Sequence, residues 1–334
     1  MNNPVESIRI DADSDISGML WRMGNTAFQG KNLALSVDVW TEMLRSNVTI
    51  FLGLAGAMVP AGMREIVVYL IKNRLIDCLV STGANLFHDC HETLGGFHYQ
   101  GSPHVDDVQL REEGIDRIYD VFASERAFQG VDRYVADFAV SVGARKLSTR
   151  EFLYLLGGKL SKEGKTTGIL SAAYDSRTPV YCPAISDSSI GIALAIAANE
   201  GKQIPSLDVI ADVVESANLV AEAESTGVIY VAGGTPKNFI QQTEVTAGLM
   251  GRPVSGHSYA IQFSVDPPHW GGLSGCTFEE AQSWGKIAEK AKRVTVYCDA
   301  TIALPVVLHA LAQRSADLIA SRKAPGLRLE WPQK

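Results

Sequence analysis

Toward the C-terminal end of the 334-residue chain, Ser283-Trp284-Gly285-Lys286 sets a lysine two residues after a tryptophan. An amine held against an indole, in an apolar setting near other cations, loses proton affinity and can attack a carbonyl or imine carbon as a neutral nucleophile. Thr277 and Glu280 have capping-box spacing, which predicts a helix from Thr277 that carries Glu280 and Trp284 on one face. The ordinary alternative for Lys286 is a solvated lysine on a helix.

Two further clusters could do chemistry. Val231-Ala232-Gly233-Gly234-Thr235-Pro236-Lys237 has glycines at a predicted strand end and a proline at an expected first helical position, so backbone N–H groups there could receive a pyrophosphate. It is not a G-x-G-x-x-G fingerprint, and a tight turn explains the glycines equally well. Asp299 follows another predicted strand, where a dinucleotide fold places a carboxylate for a ribose hydroxyl; an N-cap for the helix from Thr301 is the structural alternative. His88, His91, His98 and His104 form a third group, with His88 and His91 on one helical face. The order is not H-E-x-x-H, so no metal is expected and His88 reads as a pocket wall.

The elements that must position these residues alternate. Residues 47–53 form an apolar run, 60–73 have helical periodicity, and Ile76 to Val80 is a second run ending at Ser81-Thr82-Gly83. Short strands at Gly168 to Ala172 and Val180 to Cys182 precede a helix over Ser188 to Asn199, and a helix from Leu207 to Glu224 leads into Val228 to Val231. A helix opened by Gly233-Gly234, a strand Tyr259 to Phe263, the helix from Thr277, a strand Val294 to Tyr297 and a closing helix Thr301 to Ser321 complete the series. This alternation predicts an α/β, doubly wound, mostly parallel sheet with Rossmann-like architecture. Thr82-Gly83, Asp187, Gly233-Gly234, Val265-Asp266 and Asp299-Ala300 each follow a predicted strand, so they are expected at one edge of the sheet.

With 46% hydrophobic residues the chain can bury a large core, and 37 acidic against 30 basic residues give a formal charge of −7. No Lys/Arg cluster tracks a phosphate backbone, so nucleic acid is not an expected partner, whereas a cationic substrate is tolerated. The first residues lack a basic and apolar leader pattern, and no eighteen-residue apolar run follows; a cytoplasmic protein without membrane contact is expected. The odd set Cys78, Cys90, Cys182, Cys276 and Cys298 reads as reduced thiols.

Ser283-Trp284-Gly285-Lys286, together with Met23-Gly24-Asn25-Thr26-Ala27-Phe28-Gln29-Gly30, Ile50-Phe51-Leu52-Gly53, Gly114-Ile115-Asp116-Arg117-Ile118, Pro183-Ala184-Ile185-Ser186-Asp187 and Val296-Tyr297-Cys298-Asp299-Ala300, resembles the deoxyhypusine synthase family over about residues 18 to 322. The resemblance implies one catalytic domain between an N-terminal extension, 1–17, and a tail, 323–334. It implies NAD held by Thr82, Gly83, Asp187, Gly233, Gly234, Asp299 and Ala300, a covalent role for Lys286, and a homotetramer. Glu280, Trp284, Asn238, His88 and Trp270 would line the amine site. Ile192, Leu273 and Trp270 stand where the family has aspartates, His88 where it has a glutamate and Asn238 where it has a histidine; Gly56-Ala57 and Pro60 replace serine, asparagine and serine. These departures resemble the bacterial deoxyhypusine synthase-like branch, some of whose members resemble homospermidine synthases. They imply a small or less charged amine, or a guanidino compound, rather than spermidine and the protein lysine of a translation factor. A non-catalytic NAD-binding relative is the alternative from another class.

Overall fold

The computed structural model describes residues 4–333. Residues 1–3 of the N-terminal extension and Lys334 of the tail lie outside the described residues. Two compact units share the chain. The first takes the described residues up to Leu54, then Asn73–Cys78 and Val213–Arg328; the second takes Ala55–Lys72, Leu79–Asp212 and the described residues after Arg328.

Six strands carry the architecture: β1 (Thr49–Leu54), β2 (Cys78–Ser81), β3 (Val180–Tyr181), β4 (Thr226–Val231), β5 (His257–Phe263) and β6 (Ile287–Val296). In the first unit β6, β5, β4 and β1 lie side by side in that order, and each neighbouring pair is parallel. In the second, Leu79 and Val80 of β2 pair in parallel with Val180 and Tyr181 of β3. Every residue of β1 and β4 is buried, as expected of strands covered on both faces, and this is why they read as continuous apolar runs rather than alternations. Gly53 is required by close approach: a Cβ there would lie 3.0 Å from the Tyr230 ring and 3.2 Å from Ile240 of the Gly234–Leu249 helix. The α/β architecture with parallel strands is as the alternation predicts.

Several elements differ from expectation. Gly168 to Ala172 is not a strand but the start of the Ile169–Ser176 helix. The buried Asp89 carboxylate accepts the N–H groups of Ile169 and Leu170 at 2.7 and 3.0 Å, so it satisfies a helix start that the local sequence leaves uncapped. Arg64 Nε holds the same carboxylate at 2.9 Å. The closing helix is two, Ala300–Arg314 and Ala316–Ser321, divided at Ser315. An antiparallel group, Tyr99–Gln100, Val121–Ser124 and Ile115–Ile118, has no counterpart in the sequence reading. Its strands are short and half-exposed, and offer little periodicity to read. No helix among the described residues is long and apolar enough to cross a membrane.

The first unit is tied together by a buried ion pair. Arg322 Nη1 and Nη2 grip Asp77 at 2.9 and 2.7 Å, and Nη2 also donates to Val48 O at 3.1 Å. Asp77 Oδ2 receives the Ile50 N–H at 2.8 Å, which fixes the start of β1.

Beneath the Gly234–Leu249 helix, buried Glu244, Thr226 and His257 form a second polar group. Thr226 Oγ1 lies 3.3 Å from Glu244 Oε1 and 2.8 Å from His257 Nδ1. Burial raises the Glu244 carboxyl from 4.5 to about 7 and lowers His257 from 6.5 to about 4. In the window where these ranges overlap, the unfolded chain carries a proton on the histidine and the folded chain carries one on the glutamate. The counts match, so the pair adds little pH dependence. Glu244→Gln leaves the histidine alone: its folded pKa is depressed, and stability falls as pH drops from 6.5 toward 4. His257→Gln leaves the raised carboxyl alone, whose contribution is full below 4.5 and lost as pH rises toward 7. Urea midpoints against pH should therefore slope in opposite directions in the two variants and be flatter in the parent; parallel profiles would reject the compensation.

Candidate active site

In the first unit, three chain segments leave the sheet at one level. Val231, Phe263 and Val296 are register partners across β4, β5 and β6, and Gly233-Gly234, Val265-Asp266 and Asp299-Ala300 follow them. The structure thus brings these three predicted segments to one edge. In the second unit it brings Thr82-Gly83, after β2, near Asp187, after β3. A Cβ on Gly83 would lie 2.3 Å from Ser188 Oγ.

Two of these helix starts are open in the sense an anion needs. The Gly234–Leu249 helix has Gly233 as N-cap without a side-chain cap, Gly234 has φ +56, and a Cβ there would meet nothing within 4 Å. Gly233 by contrast packs against the backbone of Ser274, whose Cα would lie 2.5 Å from a Cβ at this position, and Ser274 Oγ accepts the Gly234 N–H at 3.0 Å. Thr82 likewise gives the Gly83–Thr93 helix no side-chain cap. At Asp299 both readings of the sequence are compatible. Its Oδ1 caps the next helix, accepting Thr301 N–H at 2.8 Å and the Thr301 hydroxyl at 2.6 Å, and these bonds hold its pKa below the usual value. Its second oxygen has no partner among the described residues and is available to a ribose hydroxyl. Within the first unit, a helix start without a side-chain cap and an unpartnered Asp299 oxygen are chemically suited to a phosphate and a ribose hydroxyl. In the altered Gly56-Ala57 loop, Asn85 donates to Gly56 O at 2.7 Å and accepts Val59 N–H at 3.1 Å, so its backbone is held without the missing serine and asparagine side chains.

Lys286 sits differently from expectation. The helix begins at the expected place, with Thr277 Oγ1 accepting Glu280 N–H at 3.1 Å, but it covers only Phe278–Ser283. Trp284 is its C-cap, and Gly285, φ +70, turns the chain in the left-handed region. Gly285 N–H reaches Gln282 O at 3.0 Å and Lys286 N–H reaches Ala281 O at 3.1 Å, the paired bonds of a Schellman motif. Trp284 and Lys286 therefore flank a helix-ending glycine, and Lys286 leads into β6, which starts at Ile287 rather than near Val294. Its Nζ lies 5.2 Å from the Trp284 ring centroid, and its carbonyl accepts His257 N–H at 3.1 Å. Glu280 is exposed, Trp284 is 65% and Trp270 75% exposed, and Asn238 is half-buried, its side chain making no hydrogen bond to a described residue.

Lys237 is a side chain that the sequence reading misses. It is 1% exposed, and its Nζ donates to Gln262 Oε1 at 2.8 Å, Cys276 O at 2.5 Å and Ser274 O at 3.4 Å. A signal is present: Lys237 shares a helix face with Ile240 and Glu244 at spacings of three and seven, and both are buried.

In the second unit His88 is joined to a chain of acceptors. Glu92 Oε1 takes the His98 Nδ1–H at 2.7 Å, which leaves His98 Nε2 to accept from His88 Nδ1–H at 2.9 Å. This network assigns His88 a free lone pair on Nε2. Burial, then the neighbouring His98 and His91, lower its pKa to about 3, so the ring is neutral and can accept a hydrogen bond. His104 is exposed and takes no part.

A family model described as deoxyhypusine synthase matches residues 18–311. "Probable deoxyhypusine synthase 2" of Methanosarcina acetivorans is 53% identical over 99% of this chain and 96% of its own length. The protein of the same name in Archaeoglobus fulgidus is 57% identical over 86% of this chain and 95% of its own. Among solved structures, a "putative deoxyhypusine synthase" from Entamoeba histolytica superposes with a TM-score of 0.63 at 14% identity, covering 92% of this chain and 96% of that one; this likeness speaks for the fold.

Gly285→Ala tests the turn that presents Lys286. A left-handed alanine costs about 1 kcal/mol relative to glycine, so the urea-derived stability should drop by about that amount. An unchanged midpoint would show that Gly285 is not needed for its φ.

Proposed function

Because the chain belongs to the deoxyhypusine synthase family, whose members are NAD-dependent aminobutyl transferases, we propose that it moves an aminoalkyl group from a polyamine-type donor to an amine acceptor through Lys286. The observation that carries this reading is the Schellman turn that sets Lys286 Nζ against the Trp284 ring. NAD, when bound, supplies a hydride acceptor for the carbon beside a secondary amine and later returns the hydride. Lys286 Nζ attacks the resulting substrate imine, the departing amine leaves, and the alkyl group remains as an imine on Lys286. The acceptor amine then displaces Lys286, and reduction gives the new secondary amine with no net oxidation. Trp284 covers the cation and limits water at the imine, and Glu280 neutralises a remaining ammonium.

The cofactor reading assigns NAD to Thr82, Gly83, Asp187, Gly233, Gly234, Asp299 and Ala300, supported by the uncapped helix starts and the free Asp299 oxygen. The amine reading includes Asn238, His88 and Trp270. A smaller acceptor, as in a homospermidine synthase-like reaction, is favoured by the lost carboxylates at Ile192, Trp270 and Leu273: a second ammonium left without a partner is costly. The same three positions support a place in the bacterial deoxyhypusine synthase-like branch, while the sequence likenesses above are to archaeal proteins. Trp270, Trp284 and Ile192, 75%, 65% and 53% exposed in the single chain, support a homo-oligomer that covers them.

Lys286→Ala should fold, bind NAD and lose the borohydride-trappable adduct formed with NAD and an amine; an equal yield of product from that variant would reject the covalent role. Asp299→Ala should weaken NAD by about 1–2 kcal/mol in calorimetry, and unchanged affinity would remove Asp299 from the cofactor site.

A further inference from the structure

The Phe28–Arg45 helix packs against β6, the outer strand of the first unit's sheet. Val296 O accepts the Ser264 N–H from the β5 side at 3.1 Å, so the main-chain groups of Thr295 and Tyr297 point away from β5, to the open edge. Two side chains near the start of the helix meet them there. Asn32 Nδ2 donates to Thr295 O at 3.1 Å, and Gln29 Oε1 accepts the Tyr297 N–H at 2.7 Å. Standing three residues apart on one helix face, the pair matches groups two residues apart on the strand edge.

The chain that these bonds hold reaches Asp299 within two residues. Cys298 N–H turns back to Val296 O at 3.0 Å, and Asp299 Oδ1 accepts the Thr301 N–H at 2.8 Å, so the main chain from β6 into the next helix is tied at successive steps. The helix side of the contact is strained: Phe28, the residue before Gln29, has φ +58. A bulky residue keeps that conformation only where its surroundings over-determine it. Its 89% exposed ring supplies little of that constraint, whereas the next residue is fixed to β6. Side chains that cover an open strand edge are common. The place of this pair sets it apart, at the last turn of the chain before the aspartate assigned to the cofactor.

We infer, resting on the reading of Asp299 as the holder of a ribose hydroxyl, that Gln29 and Asn32 are positioning residues for the dinucleotide: they fix the exit of β6 and so the direction in which the second Asp299 oxygen is presented. Neither side chain touches the cofactor. Gln29, the acceptor nearer the exit, carries most of the effect.

The test is a double-mutant cycle on the full chain, with NAD affinity read by calorimetry. Gln29→Leu removes the acceptor and should bind NAD roughly fivefold more weakly, within the range of couplings in a shared network. Gln29→Glu, which keeps an oxygen for the Tyr297 N–H, should stay near the parent. In an Asp299→Ala background Gln29→Leu should cost nothing further, because the carboxylate it positions is gone. A side chain that only covers the strand edge would give the same loss in both backgrounds. Amide exchange of the peptide containing Tyr297 should quicken in Gln29→Leu and not in Gln29→Glu. Parent-like NAD affinity or exchange in Gln29→Leu, or equal losses with and without Asp299, overturns the inference. Asn32→Leu, which removes the donor to Thr295 O, takes its place in the cycle if Gln29→Leu does not fold. Asp299→Ala with the parent's affinity is a separate result that rejects the cofactor reading of Asp299 and the inference with it, whereas additive losses keep that reading and reject the positioning role alone.

Discussion

The parallel register that levels Val231, Phe263 and Val296 is the constraint on which the first unit's chemistry depends. Three chain exits at one height are what allow a glycine pair, a loop and a capping aspartate to face the same volume. A slip of one residue in any strand would turn its side chains to the opposite face. Gln262, next to the end of β5, adds a lock. Its amide donates to Ala232 O at 2.9 Å and Ser274 O at 2.7 Å while its oxygen accepts from Lys237. The side chain thus joins two exits and the loop before the Lys286 helix.

What could be read in advance follows from this arrangement. Strands buried on both faces announce themselves as apolar runs, and the residues after them are easily found, so the edge of the sheet was visible in sequence. The end of the Lys286 helix was not. Gly285 reads as an interior helical glycine until the Ala281 and Gln282 carbonyls are seen to be satisfied by Lys286 and Gly285. Lys237 was hidden for another reason: a lysine pattern gives charge but not depth, and only the tertiary oxygens around its ammonium show that it is buried. His88 and His98 meet because the chain reverses at Gly95 and Gly96. Gly95 has φ +90, and a Cβ on Gly96 would fall 2.1 Å from the His91 ring.

Long-range caps explain the helix that reads as a strand. Asp89 closes the start of Ile169–Ser176, and Asp212 does the same for Thr149–Glu163, accepting Thr149 N–H at 3.0 Å and Arg150 N–H at 3.2 Å. Local propensity cannot reveal a cap that comes from 62 or 80 residues away. Such carboxylates also make the helix starts rigid, in contrast to the uncapped starts at Gly234 and Gly83.

The Arg322–Asp77 pair has a bearing on synthesis. The partners are 245 residues apart, and the same carboxylate anchors the first residues of β1. As the chain emerges from its N-terminus, Asp77 is present long before its cation, and burying a lone carboxylate costs several kcal/mol. The first unit completes the anchor of β1 only after Arg322 has been made. Its closure is consequently a late, high-contact-order event, and until then the apolar strand β1 lacks one of its anchors.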